Sequence, residues 1–448
     1  MYIKKLTLKN IKAFEALSFD FTRPDGSFAG WTVFVGGNGS GKTTILRTIA
    51  LSLMGPKAGD VILGRHQGWI SKGAVDGSSI ATICVDPSFD AFNKAPLEKT
   101  PLSEFEAGVQ WHREELDDCH EAPKNYVEFE ATAGSRRAKR GPWYPPANGW
   151  FAAGYGPMRR LTGTSEAARS IEVGDGRECR FITLFWESAA LEEGDFWLRW
   201  MHARTLETDR PDRNDIESLV QLVTALLNDG LLPVGMKVSR ITVDQVFVMD
   251  GTGVEIPLDD VSDGCRSILA MVMDLVCKSF NACWDNFDTR FDSQGHPVVE
   301  IPGIVLIDEV EAHLHPEWQR DMPEWFKKHF PNIQFIVSTH SPLIAQAADD
   351  NGLFILPGQG DVDSEPRQAS ADELERIRLR TAYDALLESA FGLNTTRPPS
   401  TQKLIERWQW LDAKRRAGKL REEEVGEYSV LRSKMHIAFP AQSELADV

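Results

Sequence analysis

Gly36-Gly37-Asn38-Gly39-Ser40-Gly41-Lys42-Thr43 joins an apolar run, Trp31 to Val35, to a helical pattern that begins at Lys42. Glycines at this spacing let consecutive backbone N–H groups curl around phosphate oxygens, and the helix N-terminus adds its positive end. In such a loop Lys42 neutralises β- and γ-phosphate charge and Thr43 ligates Mg2+, with Gly36, Asn38, Gly39, Ser40, Gly41 and Thr44 completing the cradle. The expected ligands are ATP and Mg2+. Further on, Ile304-Val305-Leu306-Ile307 carries Asp308 and Glu309 to the carboxyl end of a buried strand, where open α/β sheets place their chemistry. Two adjacent carboxylates divide the labour there. Asp308 holds the metal shell, while Glu309 polarises the attacking water, a role worth roughly a hundred- to ten-thousand-fold in rate. One strand later, Phe335-Ile336-Val337 leads into Ser338-Thr339-His340, which puts His340 within reach of a γ-phosphate.

These groups need a sheet to hold them. Leu6 and Leu8, then Leu17, Phe19 and Phe21, alternate with polar residues and predict an opening hairpin. Helix Lys42 to Met54 is expected to stop at Gly55-Pro56. Further strands are expected at Ile80 to Val85, Val127 to Ala131, Phe151 to Tyr155, Val238 to Met249 and Val254 to Pro257, with helices within 186–230. The second half alternates helix and strand, and therefore implies a parallel sheet. Glu311, His313 and His315 resemble a metal cluster in composition, yet their place directly after Asp308 and Glu309 favours a loop that shapes an interface. Pro316 suits the first turn of the helix after it.

Leu258-Asp259-Asp260-Val261-Ser262-Asp263-Gly264-Cys265-Arg266 runs straight into an apolar helix. With the phosphate loop, the Asp308-Glu309 pair and His340, this segment resembles the signature of the SMC, RecF and OLD-like branch of ABC ATPases. The resemblance is strongest to stand-alone ATPase subunits of bacterial anti-phage systems, Septu-like and retron-associated, and extends to the opening hairpin and Ala153 to Leu161. It implies an α/β fold: an ABC-ATPase head with a mixed N-terminal sheet, a parallel phosphate-loop sheet flanked by helices, a helical lobe and a C-terminal helical tail. It also implies a head-to-head homodimer, or an oligomer of dimers, in which Ser262 and Gly264 touch the γ-phosphate held by the opposite subunit. Asp263 departs from the usual glycine and Cys265 from the usual glutamine or glutamate. No glutamine lies in the Ala153 to Leu161 stretch, where Tyr155 takes the position of the Q-loop contact and Gln67 is a second candidate. Leu386 to Leu393 resembles the C-terminal tails of the same ATPases.

The domains read as 1–158 with the phosphate loop, 159–264 leading to the signature, 265–357 completing the ATPase core, 358–370 as linker and 371–448 as a helical region. The function implied is ATP hydrolysis that regulates a separate effector, a nuclease, in anti-phage defence; the alternative is a repair or recombination ATPase acting as an ATP-gated DNA clamp. A transporter motor fits poorly, given the wide insertion before the signature and the tail beyond His340. A net charge of -17 confines any DNA contact to a local patch. Arg136, Arg137, Lys139 and Arg140, followed by Trp143 and Tyr144, are the candidates. Asp117 to Glu121 reads as an acidic loop rather than a built-in nuclease. The six cysteines, Cys84, Cys119, Cys179, Cys265, Cys277 and Cys283, form no C-x-x-C pair. With no membrane-length apolar run, a cytoplasmic protein is expected.

Overall fold

The computed structural model describes residues 1–93, 103–113, 127–144, 147–166, 177–207, 209, 211–233, 235–283, 287, 290–358, 365–385, 395 and 397–438. Asp117 to Glu121, Leu386 to Leu393 and positions 359–364 of the expected linker lie outside them. The chain forms two compact units, Met1–Ala382 and Tyr383–Val448.

In the first unit, β1 (Tyr2–Ile11) and β2 (Phe14–Asp20) form the expected hairpin, and β3 (Gly30–Val35) leads into α1 (Lys42–Leu63). Next come β4 (Asp76–Cys84), β5 (Glu104–Arg113) and β6 (Val127–Ala131). These build an antiparallel sheet in the order β2-β1-β4-β5-β6. The expected stop at Gly55-Pro56 is a kink: Gly55 leaves helical geometry with φ 80° and the helix restarts at Pro56. Proline at a first helical position gives up no hydrogen bond, so the restart is natural.

Beyond β7 (Ala152–Tyr155), helices α2 (Glu192–Thr205) and α3 (Arg213–Asn228) form a lobe with β8 (Lys237–Ile241), β9 (Val246–Met249) and β10 (Glu255–Pro257). The single strand expected over Val238 to Met249 is two strands. Thr242 accepts from the Gln245 backbone and closes the turn between them. Helix α4 (Asp263–Ala282) follows and packs on α2 so closely that a Cβ on Gly194 would sit 2.4 Å from the Asp274 nitrogen.

A short ribbon, β11 (Arg290–Phe291) with β12 (Pro297–Val298), precedes β13 (Gly303–Ile307), α5 (Pro316–His329), β14 (Ile333–Thr339) and α6 (Pro342–Gln346). Strands β15 (Leu353–Ile355) and β16 (Arg367–Gln368) and helix α7 (Ala371–Leu379) end the unit. The second sheet runs β16-β15-β3-β14-β13-β7, parallel apart from β16. Ile304 to Ile307 are fully buried, as a central strand covered on both faces requires.

One apolar core joins both sheets to α1, with Leu6, Phe19, Phe34, Ile45, Ile49, Trp111 and Leu306 among its members. A buried amide reinforces it: Gln334 on β14 accepts from the Ile3 N–H at 2.7 Å and donates to the Ile3 carbonyl at 2.8 Å. This fills a ladder position that β1 would otherwise leave unpaired.

In the second unit α8 (Pro399–Arg416) and α9 (Glu422–Ala438) pack through Leu411, Tyr428 and Leu431, with Trp408 and Leu420 alongside. The Tyr428 hydroxyl donates to Asp412 at 2.9 Å. Leu404 points outward, 42% exposed. Among the described residues no helix is long and apolar enough to cross a membrane.

Candidate nucleotide-binding site

Register brings the chemistry together. Ile307 on β13 pairs with Val337 on β14, and Thr339 with Val35 on β3. The phosphate loop, Asp308-Glu309 and His340 therefore leave the carboxyl ends of three neighbouring parallel strands, an arrangement that concentrates their side chains at one sheet edge.

Within the loop, Gly37, Asn38 and Gly39 form an exposed crest, while Ser40, Lys42 and Thr44 are buried. Gly41 takes φ 97° with the Phe14 ring 2.3 Å from where a Cβ would be, so only glycine fits. The Lys42 ammonium donates to the Gly36 and Gly37 carbonyls at 2.8 and 3.0 Å and lies 3.0 Å from His340 Nε2. Burial lowers the Lys42 pKa, against the pull of Asp308, Glu309 and Glu311. It also lowers that of His340, and the Lys42 charge adds to the effect. His340 is thus a neutral ring presenting Nε2 to a donor.

Thr43 Oγ1 donates to Asp308 Oδ2 at 2.7 Å. The other oxygen, Oδ1, accepts from Ser338 Oγ, which also accepts from the Glu309 N–H at 2.9 Å. Asp308 is 2% exposed, whereas Glu309 faces solvent from a left-handed conformation, φ 45°. A non-glycine residue held there is strained, and such strain persists only where neighbours enforce it. Glu311 accepts from Thr339 Oγ1 at 2.7 Å and from the His340 N–H, linking the turn after Asp308 to the end of β14. His315 caps α5 by accepting from the Glu317 N–H at 3.4 Å, and Pro316 opens that helix as expected. Among the described residues no cluster of His, Cys, Asp or Glu could hold a metal by itself.

Ser262 and Gly264 lie at the start of α4. A Cβ on Gly264 would come 2.4 Å from the His313 carbonyl, so the signature touches the turn that follows Glu311 in its own chain. Asp263, which would repel phosphate, is ion-paired with Arg266. Arg266 also donates to the Asp259 carbonyl at 2.7 Å. Ser262 Oγ is 3.1 Å from Cys265 Sγ.

Tyr155 does not face the nucleotide side. It is fully buried, and burial beside Asp274 raises its pKa well above the ordinary value. The next turn instead supplies a residue that motif reading missed. Arg159, 4% exposed, donates to the carbonyls of Gly156, Asp308, Glu309, Val310 and Ala312 at 3.1 to 3.3 Å. The Arg159-Arg160 pair in Ala153 to Leu161 was the available signal, but an arginine binding only main-chain oxygens has no fixed spacing to a partner.

Arg136, Lys139 and Arg140 are exposed and Arg137 is half-buried. Trp143, expected among the residues that could stack on a base, packs against Gly55 and donates Nε1–H to the Ser52 carbonyl at 2.9 Å. It anchors the basic segment to α1.

Two family models match the chain: "AAA domain, putative AbiEii toxin, Type IV TA system" over residues 187–345 and "AAA domain" over 5–85. A Septu protein PtuA from Bacillus mycoides (strain KBAB4) is 26% identical over 412 residues, covering 92% of this chain and 47% of the relative. The Retron Ec83 probable ATPase of Escherichia coli is 32% identical over 121 residues, covering 27% of this chain and 20% of the relative. The chain thus spans about half the length, or less, of these curated relatives. Among solved structures, an Smc head bound to the C-winged helix domain of ScpA matches with a TM-score of 0.47 at 15% identity, over 83% of this chain and 99% of that one. In the order of its motifs and in its sequence relatives, the chain is similar to AAA-domain proteins that include a Septu protein PtuA and a retron probable ATPase.

Proposed function

We propose that the chain binds ATP in the loop Gly36 to Thr44 and hydrolyses it with Glu309 as the general base. The observation that carries this reading is the Thr43–Asp308 hydrogen bond, 2.7 Å, between the helix that starts at the phosphate loop and the strand that ends in two acids. The donor set fits a Mg2+–triphosphate group. Ser40 Oγ is buried with no partner among the described residues, and Lys42 fills the loop mouth by donating to its carbonyls. When bound, Mg2+ would be held by Thr43 and Asp308 and would offset phosphate charge. Glu309 then orients water, His340 in its Nε2–H tautomer donates toward the γ-phosphate side, and Lys42 supplies the positive charge.

In this reading two heads face each other, Ser262 and Gly264 of each completing the site of the other. The Asp263–Arg266 ion pair offsets part of the charge that would oppose a phosphate at this helix start. ATP-driven association of heads would then set the state of a separate effector, a nuclease, in anti-phage defence. Arg136, Lys139 and Arg140 remain candidates for a phosphate backbone, as in the DNA-clamp alternative. The test is ATP hydrolysis by the purified chain with Mg2+, expected to be abolished by Lys42→Ala. Turnover that survives Lys42→Ala would place the chemistry elsewhere.

A further inference from the structure

Glu309 projects from a turn whose backbone is strained, φ 45°, and whose carbonyls cannot all be satisfied within the turn. Two backbone bonds hold the turn internally: Ala312 N–H to the Glu309 carbonyl and Leu314 N–H to the Glu311 carbonyl, both 2.9 Å. Three further carbonyls of the turn, those of Asp308, Val310 and Ala312, converge on one guanidinium, which also shares the Glu309 carbonyl with the Ala312 N–H. Arg159 Nη1 donates to the carbonyls of Gly156 and Asp308, and Nη2 to those of Glu309, Val310 and Ala312. All five acceptors are main-chain oxygens, so this cation grips the path of the backbone rather than a side-chain partner.

The approach of Arg159 is itself fixed. It follows β7, which pairs with β13 up to Tyr155–Ile307, and the Asp308 N–H donates to the Tyr155 carbonyl at 2.8 Å. Gly156 turns the chain against the Thr183 carbonyl, 2.1 Å from where a Cβ would be, so no larger residue passes. Burial lowers the Arg159 pKa to about 10, which leaves it charged at neutral pH.

We propose that Arg159 is a positioning residue for hydrolysis: its guanidinium fixes the turn Asp308 to Ala312 and so holds Glu309 where its carboxylate meets the attacking water. This rests on the reading of Glu309 as general base. It assigns Arg159 no contact with nucleotide, and its loss therefore lowers kcat while leaving ATP affinity in place. A lysine has a single ammonium and cannot reach both sets of carbonyls, so Arg159→Lys recovers only part of the rate.

The experiment is a double-mutant cycle between Arg159 and Glu309, with steady-state hydrolysis and binding of a fluorescent ATP analogue measured on full-length protein. Arg159→Ala should lower kcat by about 30- to 300-fold with ATP affinity within about threefold of wild type. In a Glu309→Gln background the same change should cost less than about threefold, because the base it positions is already gone. Millimolar guanidinium should restore part of the rate to Arg159→Ala and none to the double variant. Should Arg159→Ala not fold, Arg159→Lys decides the matter, with reduced kcat and unchanged affinity expected. A folded Arg159 variant turning over at the wild-type rate overturns the proposal, as does a defect that multiplies fully with Glu309→Gln. Wild-type protein that binds ATP without hydrolysing it would instead defeat the reading of Glu309.

Discussion

Glu309 and Asp308 are neighbours in sequence with opposite surroundings. Asp308 is buried between Thr43 and Ser338, whereas Glu309 faces solvent. A buried acid already bonded on both oxygens suits a metal shell, and an exposed one with free lone pairs suits water. Glu309→Gln keeps the shape and hydrogen-bonding reach but cannot accept the proton. ATP affinity should therefore stay near that of wild type while turnover falls at least about a hundredfold, as single-turnover assays would report. Near-normal turnover would remove Glu309 from the role of base. Each of these residues was legible because phosphate chemistry demands particular types at fixed offsets from a strand end. Arg159 was not, since its partners are carbonyls, which every residue supplies. Tyr155 misled for a related reason: its place after Gly154 matched the expected loop, but side chains alternate along β7 and this one turns into the core beside Asp274.

At the scale of elements, the parallel sheet was legible because its strands are continuous apolar runs ending in chemistry. Strand β5 was missed although Phe105, Ala107, Val109 and Trp111 alternate inward; the charged stretches on either side of it hid a sound period-two signal. The turn at Thr242 to Gln245 lacks glycine and proline, so two strands read as one. The Gln334 bridge to Ile3 was likewise invisible, because its partner lies 331 residues away. Gln334→Leu should destabilise the first unit by about 2 to 4 kcal/mol, since it leaves a buried N–H and C=O unpaired. Urea unfolding would measure this, and a loss under about 0.5 kcal/mol would mean that the sheets hold without the bridge.

Helix α5 carries a pH dependence. His329 is fully buried, with Nδ1 2.6 Å from the Pro297 carbonyl and Nε2 3.4 Å from Asp229, which Lys328 and His296 also face. Burial lowers its pKa. The folded state therefore refuses a proton that the unfolded chain accepts near pH 6.5, so stability is full above that pH and falls on acidification below it. His340 shares this sign. Tm should drop between about pH 7 and pH 5.5, and less steeply in His329→Gln. Equal slopes in the two proteins would clear His329 of any part in it.

For the whole molecule, the close approach of Gly264 to the His313 carbonyl means that a bulky change at Gly264 would disturb the chain's own turn, whatever it did to the proposed site of a second head. Ser262, exposed at the start of α4, is the cleaner probe of sharing between heads. The central claim is that a site consists of Lys42 from one head and Ser262 from another. Lys42→Ala and Ser262→Arg proteins, each inactive alone, should regain activity when mixed in equal amounts. Half the dimers would then hold one intact site of two, giving about a quarter of the wild-type rate. A mixture as inactive as either parent, in proteins shown to exchange subunits, would contradict the shared site.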